Sequence, residues 1–145
     1  MQITISVDMG EVEAMLKQMQ AATQSAAKPL ADGAHIVEKH AKLNIKGHGL
    51  WKSGQLFNSL KVQEVGAWHA LVGTSGVIYA AIHEFGGVIT PKRAKYLSWI
   101  GPTGERVFAK RVRMPARPYL RPAFDENKEE IKGVIAAGIR KMIGG

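Results

Sequence analysis

Polar and apolar positions alternate over the first residues, QITISVD, where Ile3, Ile5 and Val7 share one side and Thr4 and Ser6 the other. That two-residue period predicts a half-buried strand over residues 2–7. At Asp8 the period changes. Asp8, with Glu11 three residues later, has the form of a capping box, and Val12, Met15, Leu16, Met19 and Ala22 follow at helical spacing. A run of small residues leads to Pro29, which suits the first turn of a second helix. That helix carries Leu30, Ala34, Val37 and Ala41 on one stripe and ends before Gly47. One long helix kinked at Pro29 fits the same pattern. On either reading, helix covers about residues 9–45.

NIKGHGLWKSGQLFNSL reads as a loop and a short helical turn capped by Ser53. LKVQEV and WHALVG then form a hairpin over about 60–73 that turns near Gly66. VIYAAIHEF is followed by Gly86-Gly87, which suits a helix C-cap, so about two helical turns are expected. Tyr79, Ile82 and Phe85 would pack inward from them. KYLSWIGPTGERVFAKRV reads as a second hairpin, about 95–113, with Gly-Pro-Thr-Gly at its tip. In MPARPYLRPAF the residues before each proline (Met114, Arg117 and Arg121) are pushed out of the α region, so 114–121 is extended. Pro122 opens a last helix to about 143, with Phe124, Ile131, Ile135, Ile139 and Met142 as its stripe. Acids near its start and Arg140 and Lys141 near its end complement the helix dipole. This order predicts one α+β domain over residues 1–145, an antiparallel sheet of hairpins packed against N-terminal helices and a C-terminal helix.

Length and composition narrow the class. A chain of 145 residues, 46% apolar, is of one-domain size and can bury one core. Cysteine is absent, which excludes disulfides and thiolate metal sites. The N-terminus has neither a basic n-region nor an apolar h-region. The longest apolar run, Val77–Ile82, is six residues, against the roughly 20 a membrane span needs. A soluble protein made and kept in a cytoplasm, with no membrane contact, is expected. The net charge is +8, and residues 92–121 carry all of it, with nine bases and Glu105 as the one acid. Such a segment points to a polyanion or an acidic protein surface as partner.

Candidate chemistry is sparse. His83-Glu84 opens like a zinc-hydrolase motif, but the second His should stand three residues after the Glu, where Gly87 is. His35 and His40, five apart on a helix, do not face each other. Glu129 and Glu130 diverge around theirs. No Gly-rich loop has phosphate-binding spacing, and no nucleophile, base and orienter assemble. The expectation is no enzyme, no metal, no cofactor and no small-molecule substrate. Tyr96, Trp99, Phe108 and Tyr119 lie among the bases and could stack on single-stranded nucleic acid. The pattern favours the alternative, in which Tyr96, Leu97, Val107 and Phe108 form core, because no RNP-like or helix-turn-helix pattern accompanies them.

YAAIHEFGGVITPK (79–92) and MPARPYLRPAFDEN (114–127) together resemble the bacteriophage virion-morphogenesis family of small tail-completion, head–tail joining and minor tail proteins. The resemblance rests on Tyr79, Ala80, Glu84, Phe85, Gly86, Gly87, Pro91, Lys92, Pro115, Ala116, Arg117, Pro118, Leu120, Pro122 and Ala123, with Tyr119 where Phe is commoner. SGQLFNSLKV (53–62) looks like the family's Thr-Gly-x-Leu-x-x-Ser segment, with Ser53 for Thr. The resemblance implies a structural protein of the virion, at the tail or head–tail joint. Its partners would be copies of itself in a ring and other neck or tail proteins, with packaged DNA as a further contact. Lys92, Arg93, Lys95, Arg106, Lys110, Arg111, Arg113 and Tyr119 are the interface candidates. A nucleic-acid-binding module using 92–121 is the alternative. Two further expectations follow from the residues. Arg117 pairs with Glu84, the only acid from 65 to 104. The loops at 86–95 and 100–104 order on assembly.

Overall fold

The computed structural model describes residues 2–4, 10–21, 25–50 and 52–144. Its elements run β1 (Gln2–Thr4), α1 (Gly10–Ala21), α2 (Ala27–Gly47), α3 (Gln55–Ser59), β2 (Lys61–Val65), β3 (Ala70–Gly73), α4 (Ala80–Phe85), β4 (Gly87–Ile89), β5 (Leu97–Ile100), β6 (Arg106–Ala109), β7 (Val112–Met114), α5 (Leu120–Asp125) and α6 (Lys128–Ile143). The class is α+β, as the sequence predicts. Residues 5–9, with the rest of the first strand and the Asp8 cap, lie outside the described residues, as does Ala22.

The core forms around α2. Its stripe of Leu30, Ala34, Val37, Ala41 and Ile45 is buried. It packs on α5 and α6 and on strands β2 and β3, while α1 packs on α6. Val12 and Met19 of α1, Leu56, Leu60 and Val72, Tyr119, Leu120 and Ala123 around α5, and Ile131, Ile135, Ala136 and Ile139 of α6 join it in the buried cluster. Met142, expected on the α6 stripe, is exposed. Ser25 and Ala26 are non-helical, so α1 and α2 are separate helices, with Pro29 in the first turn of α2. Two glycines let α2 and α6 approach closely. A Cβ on Gly33 would lie 2.7 Å from Ile135 Cδ1, and one on Gly138 2.9 Å from the Pro29 ring.

One sheet was expected, and three small antiparallel ones form. β1, β3 and β2 make a three-stranded sheet in that order, with a register shift between Val62 and Glu64. The β2–β3 hairpin turns where predicted, closed by Gly66 N–H donating to the His69 carbonyl at 2.8 Å. β5 pairs only with β6, and β4 pairs with β7. The segment read as a loop after Gly86 therefore contains a strand. From Gly87 to Met114 the chain runs out along β4 and β5 and back along β6 and β7 as a two-part β-arm.

The predicted last helix is two. The helix begins at Leu120, not Pro122, breaks at Glu126–Asn127, and resumes as α6 at Lys128. Pro122 remains in a first turn, which its missing N–H permits. The run between β7 and α5 is thus Pro115–Tyr119, with Tyr119 already in the α region as the N-cap of α5. Ser53 does not cap α3. Gly54 holds the N-cap with φ 71°, and Ser53 Oγ accepts the Gln55 N–H at 3.4 Å.

Candidate functional site

The two segments that carried the family resemblance meet at the root of the β-arm. In α4, Ala80 and Glu84 stand four residues apart and are the buried pair. Phe85, expected inside, is 62% exposed, while Tyr79 and Ile82 are half-buried. The phase of this short helix turns the acid, not the aromatic ring, inward.

The buried Glu84 carboxylate is a clamp. Oε2 accepts the backbone N–H groups of Tyr119 (2.9 Å) and Leu120 (3.0 Å), and Oε1 accepts that of Arg121 (2.9 Å). These are the free donors at the start of α5, where a negative charge also complements the helix dipole. No ion pair joins Arg117 to Glu84 among the described residues, so the expected pairing is replaced by backbone donors. Arg117 contributes through its main chain instead, donating N–H to the His83 carbonyl at 2.7 Å. Gly86 ends α4 at φ 68°, and a Cβ there would lie 2.7 Å from the Ala116 nitrogen. Only glycine lets the two segments touch at that point.

Tyr119, one of the expected interface residues, is fully buried and belongs to the core. Its hydroxyl donates to the Ala80 carbonyl at 3.2 Å. Asn44 Nδ2 of α2 donates to the Tyr119 carbonyl at 3.0 Å. Burial, then the nearby Glu84 charge, push the Tyr119 phenol up to about 12, against a partial offset from Thr74. The neutral phenol is the folded form, so this contribution is complete below the ordinary value of 10.0 and is lost as pH rises toward 12.

The arm carries the basic residues. Residues 87–114 hold seven bases (Lys92, Arg93, Lys95, Arg106, Lys110, Arg111, Arg113) and Glu105 as the only acid, for a net +6. On the β5–β6 ribbon, Ser98, Ile100, Arg106 and Phe108 share one face, and all four are exposed. Leu97, Val107 and Ala109 on the other face are half-covered, while Trp99 beside them is 41% exposed. Tyr96, Leu97, Val107 and Phe108 therefore do not form core. Tyr96 and Phe108 are exposed to solvent, and β5 and β6 pack chiefly on each other.

Between the clamp and the loop after α2 lies a cleft of about 380 Å³, lined by Gly49, Leu50, Lys52, Ser53, Tyr79, His83 and Arg117. Sequence reasoning missed it, because its walls come from three separated segments. Elsewhere His35 pairs with Glu38, His69 with Glu64, and His40 approaches Glu130. No group of three or more His, Asp or Glu side chains able to hold a metal occurs among the described residues. Nor is any helix among them long and apolar enough to cross a membrane.

A model of the phage virion morphogenesis family matches residues 8–140. The chain belongs to that family. As a member of the phage virion morphogenesis family it has a phage structural or assembly role associated with the virion. Neither the curated proteins nor the solved structures searched yield a match. The family match spans the clamp, the arm and the core helices alike.

Proposed function

We propose that this family member is a non-enzymatic component that completes the tail or joins it to the head. The arm carries the reading. A two-stranded ribbon is marginal alone in water, yet this one presents Ile100 and Phe108, each 61% exposed, beside Arg106. Exposed apolar rings rimmed by charge suit a surface that is covered on assembly. The partners on this reading are copies of the same chain in a ring and neighbouring neck or tail proteins. The protein then resides in the virion, at the tail or the head–tail joint.

The test is a phage deleted for this gene, imaged by electron microscopy. DNA-filled heads and separate tails are expected, with joining restored by the wild-type gene but not by an Ile100→Asp/Phe108→Asp double variant. Infectious virions from the deletion phage refute the joining role. Full rescue by the double variant refutes the part given to the arm.

A second reading is favoured by one observation, the solvent-facing Tyr96, Trp99 and Phe108 interleaved with bases on the arm. Rings free to stack beside cations suit nucleic acid. Binding that weakens with salt at a log–log slope of about −0.7 per phosphate on single strands supports it.

A further inference from the structure

The cleft beside the clamp has the chemistry of an anion site, and this holds whether or not the arm joins head to tail. Its walls bring Lys52 and Ser53 from the loop after α2 against Tyr79 and His83 of the α4 segment and Arg117 of the run between β7 and α5. Among the described residues, two permanent positive charges line it and no carboxylate does. Lys52 and Arg117 enter no ion pair among the described residues. The one acid nearby in sequence, Glu84, is buried and engaged by three N–H groups.

The polar atoms point the same way. His83 Nδ1 is buried with no hydrogen-bond partner. A lone pair is cheaper to leave unpaired there than an N–H, so the neutral ring carries its proton on Nε2. Tyr79 Oη donates to Gln55 Oε1 at 3.1 Å, and Ser53 Oγ accepts from the Gln55 N–H. With the Tyr79 proton on Gln55, the Ser53 hydroxyl donates to Tyr79 Oη at 3.4 Å, a long bond that a closer oxyanion can displace. A guanidinium fork, an ammonium and two neutral donors form a set that matches the oxygens of one anionic group.

We propose that this cleft binds a single oxyanion group, a phosphate or a carboxylate, with Arg117 and Lys52 as its charge partners and Ser53 and His83 as donors. Burial, then the Arg117 charge, hold the His83 imidazole below its usual value, so a bound anion should raise it and report occupancy.

The experiment is an NMR titration of the full chain with sodium phosphate and, separately, sodium acetate, with ionic strength held constant by sodium chloride. Saturable shifts at cleft residues, with His83 titrating at higher pH, are expected for at least one of the two. Arg117→Gln and Lys52→Gln should each weaken binding about tenfold, the equivalent of one lost charged partner. Lys110→Gln on the arm should leave it unchanged. Phosphate binding with acetate inert assigns the site to a phosphate group, and comparable acetate binding assigns it to a carboxylate. Shifts that never saturate, undiminished affinity in both cleft variants, or an equal loss in Lys110→Gln overturn the proposal.

Discussion

Glu84 is the one carboxylate that the core buries among the described residues, and its role was not written in its neighbours. Beside His83 it reads as a fragment of a metal motif, and by charge counting it reads as a partner for Arg117. The structure satisfies it with main-chain donors, which have no letter in the sequence. Those donors become available only where the chain turns into α5 at Leu120. Glu84→Gln keeps the volume but loses the charge and one acceptor, leaving an amide N–H group against a backbone donor. The variant should lose about 3 kcal/mol of stability in urea unfolding. A loss below about 1 kcal/mol would show that water replaces the carboxylate and that the clamp contributes little.

At the scale of elements, periodicity found what packing then used. The α2 stripe and the Ile131, Ile135 and Ile139 stripe of α6 are buried as their spacing predicts, and β2 and β3 pair as the predicted hairpin. What failed has a common cause. Alternation in β5 and β6 shows that the ribbon has two faces, but not whether anything covers either. The break between α5 and α6 was also missed, although Asn127 marked it. Asn is favoured at helix starts, and Asn127 occupies the N-cap of α6, its amide donating back to the Ala123 carbonyl at 2.9 Å. The α2–α6 contact depends on close approach at Gly33. Gly33→Leu must displace Ile135, so an overpacking cost of about 2 kcal/mol or more is expected in thermal unfolding, beyond any gain in helix propensity. An unchanged or higher Tm would mean that the two helices can separate freely.

Across the whole molecule, charge and packing divide differently. The arm carries a net +6, and the remaining residues, with 13 bases and 11 acids, carry +2. The buried cluster contains no residue from 81 to 118. A core that does not use the arm should not need it. Replacing residues 95–110 with a short Gly-Ser linker should leave Tm within about 3 °C of the intact chain, a change under about 1 kcal/mol for a domain of this size. A drop of 10 °C or more would make the ribbon part of the fold itself.

The sequence by itself determined the α+β class, the main helices, the first hairpin, the concentration of charge in 92–121 and the family, through residues 79–92 and 114–127. These are local or compositional properties, carried by period, propensity and residue type. Only the tertiary structure decided that the two motifs close on each other through Glu84, that Tyr119 is core, that the ribbon's rings face solvent, and that Lys52, His83 and Arg117 share a cleft. Each of these depends on where segments tens of residues apart come to lie, and no period within a segment encodes that placement.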